Sequence, residues 1–258
     1  MKIALSTSNL SIGYFLKKET IIVAQNINLS FEQGKLIALI GANGVGKSTL
    51  LKTLTGIQKP ISGIVLLNNK KIEDYSNLEM ARNLSLVLTE KLPPSNLTVF
   101  ELIALGRQPY TNWIGKLSKN DLHQINKAIE ITNIEHLRNK KHFEISDGQL
   151  QIVLIARALA QDTPVIILDE PTTHLDLLHK VSLLKLLKKL THKTNKCILF
   201  STHDIDLAIQ LSDEMVVINE SKTIQNSPCK LIENGVFNQL FNNENIIFDS
   251  QKGKFLIS

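Results

Sequence analysis

One octapeptide limits what this chain can fold into more than any other feature. Gly41-Ala42-Asn43-Gly44-Val45-Gly46-Lys47-Ser48 fits the pattern G-x-x-x-x-G-K-[ST]. The continuous apolar run Leu36-Ile37-Ala38-Leu39-Ile40 precedes it, and Ser48-Thr49-Leu50-Leu51-Lys52-Thr53-Leu54 follows. An unbroken apolar run suits a strand buried on both faces, as in a parallel sheet. The following segment reads as a helix, so strand, loop and helix open a βαβ unit. Glycines let the loop curl so that successive N–H groups point inward at phosphate oxygens. The helix N-terminus adds its dipole. Lys47 supplies a point charge for β- and γ-phosphates, and the Ser48 hydroxyl can ligate Mg²⁺. The alternative is a plain glycine-rich turn, but a chance match in a chain of 258 residues is roughly one in a hundred.

Three further apolar runs read as buried strands: Val165-Ile166-Ile167-Leu168, Cys197-Ile198-Leu199-Phe200 and Met215-Val216-Val217-Ile218. Alternating Ile27, Leu29 and Phe31 predict β structure before the turn Glu32-Gln33-Gly34-Lys35. The spacing predicts one amphipathic helix over 175–190, with Lys180, Lys185, Lys188 and Lys189 available for its wet side. Segment 98–160 differs. It carries helical patterns over 99–106, 119–132 and 149–160 and no strong strand signal, as a helical insert in an α/β domain would. The tail 221–258 is polar, Asn-rich and short-stranded.

The second apolar run ends in Asp169-Glu170. Open α/β sheets bind ligands at the carboxyl ends of their strands. Asp169 is therefore placed to hold Mg²⁺ through water, and Glu170 to orient or deprotonate a water attacking a γ-phosphorus. Acids after strands also serve as helix caps, so the pair gains its weight from the phosphate loop. His203 follows the third run, where a donor to the γ-phosphate is the better reading than a structural histidine.

Composition excludes several classes. With 43% hydrophobic and 21% charged residues the chain is an ordinary globular one. Two cysteines, Cys197 and Cys229, cannot form a disulfide framework or a zinc ribbon, and a reducing compartment is expected. No apolar stretch reaches the ~18 residues of a membrane span, and the first 15 residues lack a signal-peptide centre. The net charge of +5 is spread over short pairs such as Lys70-Lys71, Lys140-Lys141 and Lys188-Lys189. That distribution reads as a solvated surface, and no nucleic-acid partner is expected.

Phosphate loops occur in kinases, GTPases and ATPases, and Ile145-Ser146-Asp147-Gly148-Gln149-Leu150-Gln151 decides among them. It resembles the LSGGQ signature of ABC ATPases and stands just before the Asp169-Glu170 strand, as in that family. Its physical reading agrees: Ser146 and Gln149 form the S-x-x-Q capping box of a helix, and a capped N-terminus beside an exposed Gly148 suits an anion. Tyr14 looks like the family's adenine-stacking aromatic. Thr172-Thr173-His174-Leu175-Asp176 resembles the D-loop, and His203 matches the switch histidine. The resemblance implies a P-loop (RecA-like) ATPase core with a parallel sheet, an antiparallel β N-terminal part and an inserted α-helical subdomain. The core would comprise 1–90 and 158–220, the subdomain 91–157, and a C-terminal extension 221–258.

The resemblance further implies ATP and Mg²⁺ as ligands. Nucleotide contacts would be Tyr14, Gly41, Ala42, Asn43, Gly44, Val45, Gly46, Lys47, Ser48, Thr49, Ser146, Asp147, Gly148, Gln149 and Asp176. Metal ligands would be Ser48, Glu90 and Asp169, and catalysis would rest on Lys47, Glu170 and His203. A head-to-tail homodimer would sandwich two ATP molecules, each between one chain's phosphate loop and the other's signature. Separate integral-membrane permease chains would provide the pore, with this chain peripheral to the inner membrane face. Two positions depart from the family pattern. Glu90 stands where the Q-loop has Gln (Thr89 is the alternative alignment), and Asp147 where the signature has Gly. Segment 98–110 and Glu170-Pro171-Thr172-Thr173-His174-Leu175-Asp176 resemble the ATPases of importers for ferric siderophores, haem and cobalamin. Import of an iron complex is the leading expectation; haem or cobalamin import is the alternative. A soluble ABC ATPase acting on ribosomes or nucleic acid would carry two ATPase halves or a long insert. The prolines of Lys91-Leu92-Pro93-Pro94-Ser95 interrupt any helix there. The permease is expected to dock near Glu90 and 99–110, with Leu102 or Tyr110 as apolar anchors.

Overall fold

The computed structural model describes residues 2–17, 19–88, 93, 95–173, 175–219, 222–240, 246–250 and 253–257. The chain opens with β1 (Ile3–Phe15), β2 (Thr20–Ile27), β3 (Ser30–Glu32) and β4 (Leu36–Gly41), then α1 (Lys47–Leu54). β5 (Ser62–Leu67), β6 (Lys70–Lys71), α2 (Asn77–Asn83) and β7 (Leu84–Val87) follow. Next come the helices α3 (Val99–Ala104), α4 (Lys119–Thr132) and α5 (Asp147–Ala160). β8 (Val165–Leu168), α6 (Leu177–Thr194), β9 (Cys197–Ser201), α7 (Ile205–Leu211), β10 (Glu214–Ile218) and β11 (Thr223–Asn226) complete the α/β part. The chain closes with α8 (Pro228–Glu233) and the hairpin of β12 (Ile246–Asp249) and β13 (Lys254–Ile257).

All four apolar runs become strands of one six-stranded sheet of order β11-β10-β4-β9-β8-β7. Its five strands from β10 to β7 are parallel, and β11 is an antiparallel edge. β11 falls in the stretch read as a C-terminal extension, yet it belongs to this sheet. The parallel strands are apolar throughout because both faces are covered. Leu36, Ala38, Ile40, Ile166, Leu168, Ile198 and Phe200 pack with the helices. Ile37, Leu39, Val165, Ile167 and Leu199 pack toward α1 and the second sheet. Burying one such side chain contributes about 1.5–3 kcal/mol.

The second sheet is antiparallel, with order β2-β1-β5-β6 and β3 also paired to β1. Of it, only Ile27 and Phe31 were visible in the alternating pattern. β1 breaks the period of two: it carries Ser6, Thr7, Ser8, Asn9 and Ser11, and its register shifts near Asn9 and Leu10. Asn9 has φ +47°. Gly63 opposes it so closely that a Cβ would sit 2.3 Å from the Asn9 carbonyl oxygen, so the bulge needs glycine across from it.

Among the described residues, 98–160 contains helices and one isolated bridge, Thr98–Lys141. Capping boxes open the three helices: Thr98 with Glu101, Ser118 with Asp121 and Ser146 with Gln149. The helix expected over 99–106 ends at Ala104 and tightens into a 3₁₀ turn, Leu105–Tyr110. Gly106 is there for close packing, since a Cβ would lie 2.3 Å from the Arg157 carbonyl oxygen on α5. Leu102, expected as a docking anchor, is 3% exposed inside this helical core. Its spacing with Val99 and Ile103 turns it inward. No helix among the described residues is long and apolar enough to cross a membrane.

Candidate functional site

The carboxyl ends of β4, β8 and β9 lie side by side, because Leu39 is in register with Ser201 and Leu168 with Phe200. The phosphate loop leaves β4 there. Gly44 and Gly46 have φ +78° and +109°, values that side chains with a Cβ rarely adopt. Gly46 also lies against Val23, whose Cγ1 would be 2.5 Å from an added Cβ. Gly46 is the N-cap of α1 and gives it no side-chain cap. The first N–H groups of α1 therefore lack a side-chain partner, as an anion site requires.

Lys47 is 6% exposed. Its Nζ donates to the carbonyl oxygens of Gly41 and Ala42 at 2.8 and 3.1 Å, curling back over its own loop. Burial pulls the ammonium below the usual lysine range, against the pull of the Glu170 and Asp169 charges. A buried cation with only carbonyl partners is a group an incoming phosphate would stabilise. Ser48 is exposed, while Thr49 is buried and its Oγ1 lies 2.9 Å from the Tyr14 hydroxyl. Tyr14, half-exposed near the end of β1, is thus tied to α1.

Asp169 is 7% exposed. Its Oδ1 accepts from Ser201 Oγ at 2.6 Å, and that same Oγ accepts from the Glu170 N–H at 2.8 Å. Glu170 holds φ +48°, a conformation that costs energy in a non-glycine residue and recurs at functional sites. Its Oε1 is 2.7 Å from His203 Nε2, and its Oε2 accepts from Thr173 Oγ1 at 3.2 Å. The carboxylate is therefore held at both oxygens. Ser201, the last residue of β9, was missed in the sequence, and Thr173 was read there only as part of the D-loop segment. A hydroxyl residue closing the apolar run two positions before His203 was the available signal for Ser201.

The signature is built as its capping box predicts. Ser146 Oγ accepts from Gln149 N at 3.3 Å, and Gln149 Oε1 accepts from Ser146 N at 3.1 Å. Ser146 and Asp147 are exposed, and no hydrogen bond joins them to the phosphate loop among the described residues. Asp176 caps α6, accepting from the His179 N–H at 2.9 Å and meeting His179 Nδ1 at 2.8 Å. These bonds hold its carboxyl below the usual range. Leu177 and Leu178 beside it are exposed. Glu90, its alternative Thr89, and His174 lie outside the described residues.

Tyr110, expected as a docking anchor, is partly buried and held by two guanidinium groups. The Arg107 guanidinium stacks 3.9 Å from its ring centroid, with Arg82 at 5.4 Å. Arg82 also donates through Nε and Nη2 to the Pro109 carbonyl oxygen at 3.0 and 2.9 Å.

A phosphate loop after β4, an acid pair after β8 and a histidine after β9 define a phosphate-loop ATPase. More particularly, the chain belongs to the ABC transporter family, whose model matches residues 24–173. It is 38% identical to the achromobactin transport ATP-binding protein of Dickeya dadantii, over 93% of this chain and 88% of that one. It is 37% identical to the iron(3+)-hydroxamate import ATP-binding protein of Bacillus subtilis, over 86% of this chain and 81% of that one. A dimeric bacterial ABC transporter cassette superimposes with a TM-score of 0.76 at 27% identity, covering 87% of this chain and 98% of that one.

Proposed function

We propose that this ATPase powers a membrane importer of ferric siderophores. The observation that carries the reading is its likeness, across nearly the whole chain, to ATP-binding subunits named for achromobactin transport and iron-hydroxamate import. ATP lies along the phosphate loop, from Gly41 to Thr49, with its base on Tyr14 and its β- and γ-phosphates on Lys47. Glu170 takes the proton of the attacking water as the new P–O bond forms and the bond to the β-phosphate oxygen breaks. His203 orients Glu170 and then meets the γ-phosphate.

Mg²⁺ fits the donors present. Ser48 and Asp169 offer hard oxygen ligands, and the Ser201 bond falls on Asp169 Oδ1. Among the described residues no group of three or more His, Cys, Asp or Glu could hold a metal ion. Mg²⁺ is commonly held by one or two protein oxygens plus substrate phosphates and water. Ser48 and Asp169 would hold Mg²⁺, which would supply positive charge against the developing phosphate charge. Glu90 is a third ligand on sequence grounds.

Two chains pair head to tail, so that Ser146, Asp147, Gly148, Gln149 and Asp176 of one meet the nucleotide of the other. Exposure of Ser146 and Asp147 supports this arrangement. The pair sits on permease subunits at the inner membrane face. The test is co-reconstitution with integral-membrane permease chains of ferric-siderophore importers. Ferric-siderophore uptake should require ATP and this chain. Uptake of haem or cobalamin instead would overturn the choice of cargo.

A further inference from the structure

Asp204 stands at the N-cap of α7 but does not cap it. An aspartate there ordinarily accepts from the N–H groups of the first turn. Here the carboxylate is drawn elsewhere. Lys180 Nζ donates to Oδ1 and Oδ2 at 3.1 and 3.0 Å, and Thr172 Oγ1 donates to Oδ2 at 3.1 Å. The Asp204 N–H donates to Thr202 Oγ1 at 3.0 Å, and the Thr172 and Thr202 hydroxyls are 3.5 Å apart. Both threonines are buried.

These contacts stitch two segments together. One, 169–173, follows β8 and carries Glu170; the other, 201–204, follows β9 and carries His203. Lys180 ties the second segment to α6, the helix capped by Asp176. The side chains of Lys180 and Asp204 are 23% and 32% exposed, so solvent screens the pair only partly. His203 directly precedes Asp204, and its Nε2 must stay within hydrogen-bond reach of Glu170 to orient the carboxylate.

We propose that Lys180 is a positioning residue of the hydrolytic site: by holding Asp204 it sets His203 against Glu170. Lys180 touches neither nucleotide nor water in this role. Its loss should slow the chemical step and leave ATP binding intact. The inference rests on the assignment of Glu170 and His203 under the proposed function.

The test is phosphate release by the full chain, with kcat and KM separated, alongside affinity for a fluorescent ATP analogue and the melting temperature. Lys180→Met keeps length and removes charge. It should lower kcat about tenfold, a fraction of what general-base catalysis supplies, with KM and analogue affinity within twofold. Lys180→Arg should restore kcat to within about twofold, because a guanidinium can meet both Asp204 oxygens. Unchanged kcat in Lys180→Met would overturn the proposal. So would equal losses in the Met and Arg variants, or a loss carried by KM. If Lys180→Met lowers the melting temperature sharply, Lys180→Gln is read by the same criteria. Glu170→Gln is assayed in parallel. Wild-type turnover there sinks the assignment of the base, whereas its collapse beside an unaffected Lys180→Met sinks this inference alone.

Discussion

His203 Nε2 lies 2.7 Å from Glu170 Oε1, although 33 positions separate the two residues. The parallel pairing of β8 with β9 makes this contact, because Leu168 opposite Phe200 brings the two strand ends level. The positive φ of Glu170 then turns its side chain toward the histidine. If Glu170 is the proton acceptor proposed above, it is held before substrate arrives, which lowers the reorganisation needed in the transition state.

Glu170→Gln should therefore bind ATP with near-normal affinity, since Lys47 and the loop are untouched. Phosphate release should fall by about 10²–10⁴-fold, the usual contribution of a general base. A stopped assay with radiolabelled ATP checks it, and turnover near wild type would rule Glu170 out as the base.

Lys47 yields a thermal prediction. Its ammonium is buried, and its pKa is pulled down by that burial. A lysine whose folded pKa is lowered binds its proton less tightly folded than unfolded, so it costs stability at neutral pH. Lys47→Met should leave the nucleotide-free melting temperature unchanged or higher. In the wild type, ATP at about 100 times Kd adds about 2.7 kcal/mol, a rise of roughly 5–10 °C for a chain this size. The variant should lose most of that rise in differential scanning fluorimetry.

The parts legible in the sequence were those with a strong local rule. The four two-sided strands, the loop glycines and the S-x-x-Q box each have a periodicity or spacing of their own. β1 was illegible because a bulge at Asn9 breaks its alternation. The left-handed Glu170 was illegible because glutamate gives no hint of positive φ, as Gly or Asn would. The stacking of Tyr110 on Arg107 was illegible because it depends on the 3₁₀ turn that follows α3.

The two cysteines should behave oppositely. Burial pushes the Cys197 thiol up to about 12, with the Glu214 charge adding to the effect. Cys229 is exposed. The thiolate is the reactive form, so a thiol reagent at mildly alkaline pH should titrate one group quickly in the folded chain. The second should react only in denaturant. Two fast groups in the folded chain would contradict this placement of Cys197.

Arg107 should be the most damaging charged residue to remove from the helical part. It is 3% exposed, its Nε donates to Asp121 Oδ1 at 2.9 Å, and Nη1 donates to the Ala160 carbonyl oxygen at 2.8 Å. One side chain thus joins the 3₁₀ turn, the first turn of α4 and the last turn of α5, whose other end carries the signature. Arg107→Met leaves Asp121 buried without its counter-charge, a loss of about 3–5 kcal/mol for such pairs. That corresponds to a fall of roughly 6–20 °C in melting temperature. The double variant Arg107→Met/Asp121→Leu should recover much of it, since a well-packed apolar pair can replace a buried ion pair. Tyr110→Ala, which removes the ring beneath Arg107, should also lower the melting temperature. Burial pushes the Asp121 carboxyl up, but hydrogen bonds from Ser118 and Arg107 and the guanidinium charge outweigh it, leaving it below the usual range. A lowered folded pKa means stability that is present above the unfolded value, about 3.9, and lost as pH falls through the folded one. The wild type should therefore lose stability in acid from about pH 4 downward, and Asp121→Asn should flatten part of that limb in denaturant titrations. An acid limb of the same steepness in Asp121→Asn would show that other carboxylates carry it.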